Sequence, residues 1–179
     1  MAEANAVRHG LLIVYTGDGK GKTTAALGLA LRAFGWNQRI CVIQFIKAPG
    51  QDWGEVRAAA RLDLEWHTAG DGFVMPGESR SQARQAARDG WSLAQTKIMS
   101  GNYDLIVLDE MTYPLKWGWL DLAETLAWLR ANRPRSTSVV ITGREAPEEL
   151  IEAADLATRM CCLKHPYNVG VPAQPGIEY

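Results

Sequence analysis

Residues 16 to 24 read Thr-Gly-Asp-Gly-Lys-Gly-Lys-Thr-Thr, and this glycine-rich stretch decides the fold. The stretch follows the apolar run Leu11–Tyr15 and opens the Ala- and Leu-rich run Thr23–Phe34, so the pattern predicts a strand, a turn and a helix. Glycines allow backbone N–H groups to converge on an anion, and the start of a helix adds the positive end of its dipole. We therefore predict a phosphate-binding loop at this turn.

Two side chains of the loop have specific expected roles. Lys22 can reach terminal phosphate oxygens, and the hydroxyl of Thr23 can join the coordination shell of Mg²⁺. The general spacing would place the first glycine at position 16, which is Thr, so Gly17 takes that role only if the loop is one residue shorter. The candidate nucleotide-binding residues are Gly17, Asp18, Gly19, Lys20, Gly21, Lys22, Thr23 and Thr24.

Short apolar runs alternate with helical patterns along most of the chain. Runs without polar alternation are typical of strands buried on both faces of a parallel sheet. We therefore predict an α/β fold that forms a single domain over residues 1–179, with a mostly parallel six-stranded sheet and helices on both faces. The predicted strands are Leu11–Tyr15, Arg39–Ile46, Leu62–His67, Asp104–Asp109, Ser138–Thr142 and Leu156–Leu163. The predicted helices are Thr23–Phe34, Ser81–Ser100, Asp121–Asn132 and one that begins at Pro147.

Two acidic residues end one of the buried strands. Asp109 and Glu110 follow the run Leu105–Leu108, and the carboxyl ends of parallel strands form the ligand crevice of such a sheet. Either acid can hold Mg²⁺ directly or through water, or Glu110 can orient an attacking water molecule. Arg144 ends the next strand at the same crevice, where it can pair with an anionic or amide group of a substrate, although a plain surface arginine fits the sequence equally well.

Composition and charge exclude several classes of protein. The chain has 179 residues, 19 basic and 20 acidic, for a net charge of −1, whereas nucleic-acid-binding proteins usually carry a basic excess. No apolar run approaches the ~20 residues that a membrane span requires, and the first ten residues lack the apolar centre of a secretion signal. We therefore expect a cytoplasmic protein without a nucleic-acid or membrane partner.

Cys41, Cys161 and Cys162 show no zinc-ligand spacing, and we expect three buried thiols in strands.

Two segments interrupt the alternation of strands and helices. Gly70–Arg80 is rich in glycine and carries apolar side chains, and Lys164–Tyr179 contains three prolines and two glycines, which argues against regular structure. Irregular loops on a rigid sheet are common places for binding residues. The histidines and cysteines form no recognisable nucleophile arrangement, which favours a reaction that needs only two substrates held in line.

Five blocks, in one order, make the chain similar to a known family. They are Thr16–Ala26, Val42–Lys47, Leu108–Tyr113, Val140–Arg144 and Lys164–Tyr179, of which the last has no counterpart in generic phosphate-loop proteins. With these blocks the chain resembles the ATP:corrinoid adenosyltransferases of the phosphate-loop type. The resemblance implies a RecA-like fold and transfer of the 5′-deoxyadenosyl group of ATP to the Co(I) of a reduced corrinoid, with release of triphosphate.

The resemblance also implies roles for individual residues. The loop residues Gly17 to Thr23 would bind the triphosphate, and Thr23 and Glu110, with Asp109 beside them, would ligate Mg²⁺. Phe73 would pack on the corrinoid face and help to expel the lower axial ligand of cobalt. Relatives carry a second aromatic residue two positions later, where this chain has Met75, which is apolar and can fill the same space. Arg144 is the third candidate for corrinoid contact.

The resemblance implies partners as well as substrates. Besides ATP and cob(I)alamin or cobyrinic acid diamide, it implies a reductase or flavodoxin that supplies an electron, and a homodimer. The alternative function is a phosphotransferase or ATP hydrolase that releases ADP, with Glu110 positioning water or an acceptor hydroxyl.

Overall fold

The computed structural model describes residues 9–47, 53–70 and 80–179 of the chain. In these residues six strands form one sheet in the order β3-β2-β4-β5-β1-β6, and every pair of neighbouring strands is parallel. The prediction of an α/β fold with a six-stranded sheet is confirmed. The strands are β1 (Leu12–Thr16), β2 (Ile40–Phe45), β3 (Glu65–Ala69), β4 (Leu105–Asp109), β5 (Ser138–Thr142) and β6 (Leu156–Arg159).

Helices cover both faces of the sheet, as predicted. One face packs against α1, and the other packs against α3, α5 and α6, because alternate residues of the central strands are buried on opposite faces. The helices are α1 (Lys22–Phe34), α2 (Gly54–Arg61), α3 (Arg80–Met99), α4 (Thr112–Lys116), α5 (Leu122–Asn132) and α6 (Glu148–Ala153). No described helix is long and apolar enough to cross a membrane.

Helix boundaries follow local signals in the sequence. Asp121 caps α5, since its carboxylate accepts a hydrogen bond of 2.8 Å from the backbone N–H of Glu124.

The helix faces toward the sheet carry small residues. α1 buries Ala26, Ala30 and Ala33, and these small side chains let the helix lie close to the sheet. α3 has Gly90 on its buried face, and the half-buried Trp91 packs against the core.

Four elements differ from the sequence prediction. α2 and α4 were not predicted, because α2 is short and polar and α4 has Pro114 within its five residues. The third strand lies at Glu65–Ala69 rather than Leu62–His67, since α2 and a left-handed turn at Asp63, with φ of 52°, occupy the preceding residues. A short 3₁₀ helix, Pro166–Val169, lies in the segment expected to be irregular.

The last strand is also shorter than predicted. It ends at Arg159 rather than at Leu163, because the chain then turns along the phosphate loop, where Gly19 N–H donates to the carbonyl oxygen of Met160 at 2.8 Å. The expectation of three buried thiols is consequently wrong for two of them. Cys41 is buried in β2, but Cys161 and Cys162 lie beyond β6 and are exposed.

Candidate active site

The predicted loop lies between β1 and α1, at the carboxyl edge of the sheet. Thr16 is the last residue of β1, and Gly17 has a φ of 100°, so the glycine next to Thr16 makes the first turn of the loop. Helix α1 begins at Lys22 without a side-chain cap and without an acidic residue in its first turn. The first N–H groups of the helix and its positive dipole end are therefore available to an anion.

The loop also packs tightly against the segment that follows β6. A Cβ atom on Gly17 would lie 2.3 Å from the carbonyl oxygen of Met160, and one on Gly19 would lie 2.7 Å from that of Cys161. Distances this short exclude any side chain at the two positions. A cavity of about 370 Å³ opens beside the loop, and Asp18, Arg159 and the two exposed cysteines are among its lining residues.

Lys22 lies inside the loop. Its ammonium donates hydrogen bonds of 2.8 Å to the carbonyl oxygens of both Gly17 and Gly19, and the residue is only 8% exposed. Burial, assisted by the charge of Arg144, lowers the pKa of Lys22, although Glu110, Asp18 and Asp109 oppose the shift. The lysine predicted to reach phosphate is thus fixed at the centre of the loop.

The other loop side chains point in different directions. Lys20 is partly exposed, and its ammonium lies 3.8 Å from a carboxylate oxygen of Glu178, near the carboxyl end of the chain. Asp18 and Thr24 are exposed, the latter in the first turn of α1. The structure thus brings all eight predicted residues to one loop and helix start.

Asp109 connects the phosphate loop to β4 and to the strands on either side of β4. Its Oδ1 accepts hydrogen bonds from the hydroxyls of Thr23 at 2.8 Å and Thr142 at 2.6 Å, and its Oδ2 accepts one of 2.9 Å from the side-chain amide of Gln44. Asp109 is 1% exposed. A buried carboxylate with three donors is held in one orientation.

Gln44 was not among the predicted site residues. It is fully buried, and its Oε1 has no hydrogen-bond partner among the described residues. The sequence carried a signal for it, since Gln44 is the one amide side chain in the otherwise apolar and thiol-bearing run Ile40–Phe45. A buried polar residue at the end of a parallel strand is a candidate site residue for that reason.

Glu110 adopts an unusual backbone conformation. Its φ is 60°, and its N–H donates a hydrogen bond of 3.0 Å to the Thr142 hydroxyl. Burial, together with the charge of Asp109, raises the pKa of Glu110 to about 7, against the opposing charges of Lys22, Lys47 and Arg144. Its Oε2 is shielded from solvent and has no hydrogen-bond partner in the described structure. Strained backbone and an unpartnered buried oxygen are features that concentrate at functional sites.

A glycine that the site requires directly follows β5. Gly143 has a φ of 139°, and a Cβ atom there would lie 2.0 Å from the hydroxyl oxygen of Thr112. That hydroxyl donates a hydrogen bond of 2.8 Å to the carbonyl oxygen of Arg144. Arg144 is exposed, and its charge acts on both Lys22 and Glu110, so the structure places it at the predicted crevice.

The donor set of the site fits a magnesium ion. Thr23, Asp109 and Glu110 offer only oxygen atoms, which Mg²⁺ prefers, and Oε2 of Glu110 accepts no hydrogen bond from the described residues. Phe73 and Met75, the predicted corrinoid contacts, lie outside the described residues.

Comparison with known proteins decides the family. The family model described as ATP:corrinoid adenosyltransferase BtuR/CobO/CobP matches residues 8–179. The chain belongs to this family. The resemblance inferred from the five sequence blocks is thereby confirmed.

Individual relatives agree with the family model. Corrinoid adenosyltransferases of Pseudomonas aeruginosa, Sinorhizobium and Escherichia coli K12 are 37%, 36% and 36% identical to this chain. The matches cover 96%, 95% and 96% of this chain and 84%, 80% and 86% of the respective relatives. Similarity over this length favours adenosyl transfer to a corrinoid over the alternative of phosphotransfer or ATP hydrolysis.

Proposed function

We propose that this protein transfers the 5′-deoxyadenosyl group of ATP to the Co(I) of a reduced corrinoid and releases triphosphate. The observation that carries the proposal is the hydrogen bond between Thr23 of the phosphate loop and Asp109, in a chain that matches the adenosyltransferase family from residue 8 to residue 179. This contact unites a polyphosphate-binding loop with a cation-binding pair of acids at one edge of the sheet.

The balance of bonds explains why the protein needs no nucleophile of its own. An electron pair of Co(I) forms the bond to C5′, the bond between C5′ and its oxygen breaks, and the triphosphate leaves with the electron pair of the broken bond. Cobalt is formally oxidised to Co(III) in the same step. The task of the protein is therefore to hold the two substrates in line and to stabilise the leaving group.

The phosphate loop would stabilise the leaving group. Lys22 at the centre of the loop, the N–H groups at the start of α1, and Lys20 at its rim would bind the triphosphate oxygens. Positive charge that is already in place when the C5′–O bond breaks stabilises the developing charge without further rearrangement. Asp18 and Thr24 complete the proposed nucleotide contacts.

A magnesium ion would be held by Thr23, Asp109 and Glu110. When bound, it supplies positive charge that neutralises the triphosphate. Gln44 and Thr142 keep the Asp109 carboxylate oriented for this role. Because a nearby cation favours the ionised carboxylate, the raised pKa of Glu110 would fall in the loaded site.

The corrinoid would contact Phe73, Met75 and Arg144. The family resemblance supports apolar packing of Phe73 and Met75 on the corrinoid face, where the loss of the lower axial ligand makes Co(II) easier to reduce. The electron would come from a reductase or flavodoxin. The free thiols of Cys161 and Cys162 are consistent with a reducing cytoplasmic compartment.

We also propose a homodimer, as the family resemblance implies. All four residues of the edge strand β6 are exposed, and Leu156 is 42% exposed. The segment that follows carries the apolar side chains Leu163, Tyr167 and Val169, which are 96%, 77% and 73% exposed. Exposed apolar side chains beside an unpaired strand edge fit a second copy of the chain, and light scattering measures the resulting mass.

An anaerobic assay tests the proposed reaction. The protein is mixed with MgATP and chemically reduced cob(I)alamin, while the corrinoid spectrum is followed and the phosphate product is identified. The expected products are light-sensitive adenosylcobalamin and triphosphate in equal amounts. ADP and phosphate without a cobalt–carbon bond would instead place the protein among hydrolases or phosphotransferases.

A further inference from the structure

The last six residues, 174–179, contact the phosphate loop and a second, separate part of the protein, and we call them the C-terminal strap. At one end Glu178 Oε1 lies 3.8 Å from Lys20 Nζ in the phosphate loop. At the same end the ring of the next residue, Tyr179, meets the ring of Trp53 edge to face, with centroids 6.5 Å apart. The strap therefore connects the loop that follows β1 with the start of α2, which follows β2.

The strap is internally ordered by hydrogen bonds. Glu178 N–H donates to the carbonyl oxygen of Gln174 at 2.9 Å, and Glu178 Oε2 accepts from Gln174 N–H at 3.0 Å. The Glu178 carboxylate thus closes its own turn with one oxygen. The second oxygen, Oε1, is shielded from solvent, has no hydrogen-bond partner among described residues, and faces Lys20.

Within the strap, the acidic side chain is less exposed than the apolar residue beside it. The side chain of Glu178 is 19% exposed, whereas the adjacent Ile177 is 63% exposed. Hydrophobic burial alone would produce the opposite order. The less exposed of the two side chains is therefore the one that faces the phosphate loop.

Trp53, which Tyr179 contacts, lies next to a lysine whose charge acts on Glu110. Lys47 Nζ lies 4.4 Å from the centre of the Trp53 ring and pairs with Glu55 at 2.8 Å. The charge of Lys47 is one of those that oppose the raised pKa of Glu110. Tyr179 thus contacts the tryptophan ring over which Lys47 lies, while Glu178 lies beside a lysine of the phosphate loop.

We propose that Glu178 is a positioning residue for triphosphate binding, which acts by holding Lys20 at the rim of the phosphate loop. The proposal rests on the proposed function only in taking a triphosphate as the ligand of the loop. A partly exposed ion pair adds little to folding stability. It does restrict the flexible lysine before the ligand arrives, so less side-chain freedom is lost on binding.

Two opposite effects make the proposal testable. If Glu178 orients Lys20, its neutralisation weakens triphosphate binding, whereas if Glu178 merely repels the anionic ligand, its neutralisation strengthens binding. Calorimetric titration with inorganic triphosphate and Mg²⁺ measures this without requiring adenosyl transfer. We expect Glu178→Gln to weaken binding by about three- to tenfold, and Glu178→Asp, which keeps the charge, to weaken it less.

A double-mutant cycle separates positioning from general structure. In a Lys20→Met background Glu178→Gln should have no effect on triphosphate affinity, because the side chain that it positions is gone. Ile177→Ala is the matched control on the same strap and should bind as the unaltered protein does. In the transfer assay the KM for ATP of Glu178→Gln should rise by a larger factor than kcat falls.

Three results would overturn the proposal: tighter triphosphate binding by Glu178→Gln, an unchanged affinity, or an equal loss with and without Lys20. Thermal unfolding of every variant shows whether a loss reflects folding. If the cycle behaves as expected while no cobalt–carbon bond forms from ATP and Co(I), the positioning role stands and the proposed reaction fails.

Discussion

The hydroxyl of Thr23 donates a hydrogen bond of 2.8 Å to Oδ1 of Asp109, and this contact joins two motifs that are 86 positions apart in the chain. It forms because the parallel sheet brings the carboxyl ends of β1 and β4 to one edge, with β5 between them. The same oxygen of Asp109 accepts the Thr142 hydroxyl from β5. One carboxylate thus fixes the relative positions of the phosphate loop and the acidic pair.

Removal of the loop lysine should abolish nucleotide use. Lys22→Ala deletes the ammonium at the centre of the loop, and we expect a loss of at least about 100-fold in kcat/KM for ATP. Steady-state adenosylation at varied ATP measures the loss. Arg32→Ala, an exposed basic residue near the end of the same helix, is the control and should act normally. Transfer by Lys22→Ala at the unaltered rate would refute the role of the loop.

A substitution at Phe73 should separate electron transfer from adenosyl transfer. Phe73→Ala should spare transfer to chemically prereduced Co(I) and impair turnover that starts from Co(II), because the aromatic ring is expected to help expel the lower ligand. Parallel assays from the two cobalt states make the comparison. Phe34→Ala, a partly exposed ring at the end of α1, is the control. Equal losses from both states would reject this role.

Adding a methyl group at Gly143 should lower the free energy of unfolding more than adding one at another glycine with a positive φ. In Gly143→Ala the new Cβ would lie 2.0 Å from Thr112 Oγ1, and the clash should cost about 1–3 kcal/mol of unfolding free energy beyond the backbone strain. Gly101→Ala is the control, since its φ is also positive, at 65°, and nothing lies within 4 Å of its Cβ position. Urea unfolding compares the two, and equal losses would show that the site tolerates the clash.

Glu65 provides a pH test away from the active site. Burial alone would raise its pKa, but hydrogen bonds from Lys97, Tyr103 and His67 outweigh burial and lower the pKa to about 2. Lys97 Nζ and His67 Nε2 each lie 2.6 Å from Oε1, and the Tyr103 hydroxyl bonds Oε2. This carboxylate connects β3 to α3 and to the residues before β4.

The sign of the pH effect follows from the lowered pKa. An unfolded chain takes up the proton near pH 4.5, so the stabilisation by ionised Glu65 is complete above that pH and is lost as the pH falls toward 2. Glu65→Gln should therefore be less stable than the unaltered protein at pH 7, and the difference in urea unfolding should shrink below pH 4.5. Glu149→Gln, an exposed acid on α6, is the control. A difference independent of pH would exclude the ion pair as its cause.

Cys41 and His67 also lie near Glu65, and their ligand atoms lie within 4.8 Å of one another and of the Glu65 carboxylate. Both oxygens of Glu65 already accept hydrogen bonds, and burial raises the pKa of the Cys41 thiol to about 12. The Lys97 ammonium occupies the position where a cation would neutralise the carboxylate. These contacts indicate that the three side chains have a structural role, in which Glu65 connects β3 to α3.

Much of the fold could be predicted from the sequence because its signals are local. The apolar runs of β1, β2, β4 and β5, and the glycine-rich turn between β1 and α1, each determine their own structure. The phosphate loop and the acidic pair were found by the same means. The family similarity added the expected reaction.

The features that were not predicted depend on contacts between residues that are distant in the chain. The exposed position of Cys161 and Cys162 follows from the turn of the chain along Gly19, which no local pattern signals. The role of Gln44 depends on β2 pairing with β4 in the register that sets Gln44 opposite Asp109. The approach of Glu178 to Lys20 depends likewise on the path of the final residues.

The fate of one oxygen atom tests the central claim most directly. ATP is prepared with oxygen-18 in the bridge between C5′ and the α-phosphorus, and is allowed to react anaerobically with cob(I)alamin. If cobalt attacks C5′, that bridge breaks on its carbon side, and mass spectrometry will find the label in free triphosphate. Label retained in ADP would mean attack at the γ-phosphorus and would contradict the account.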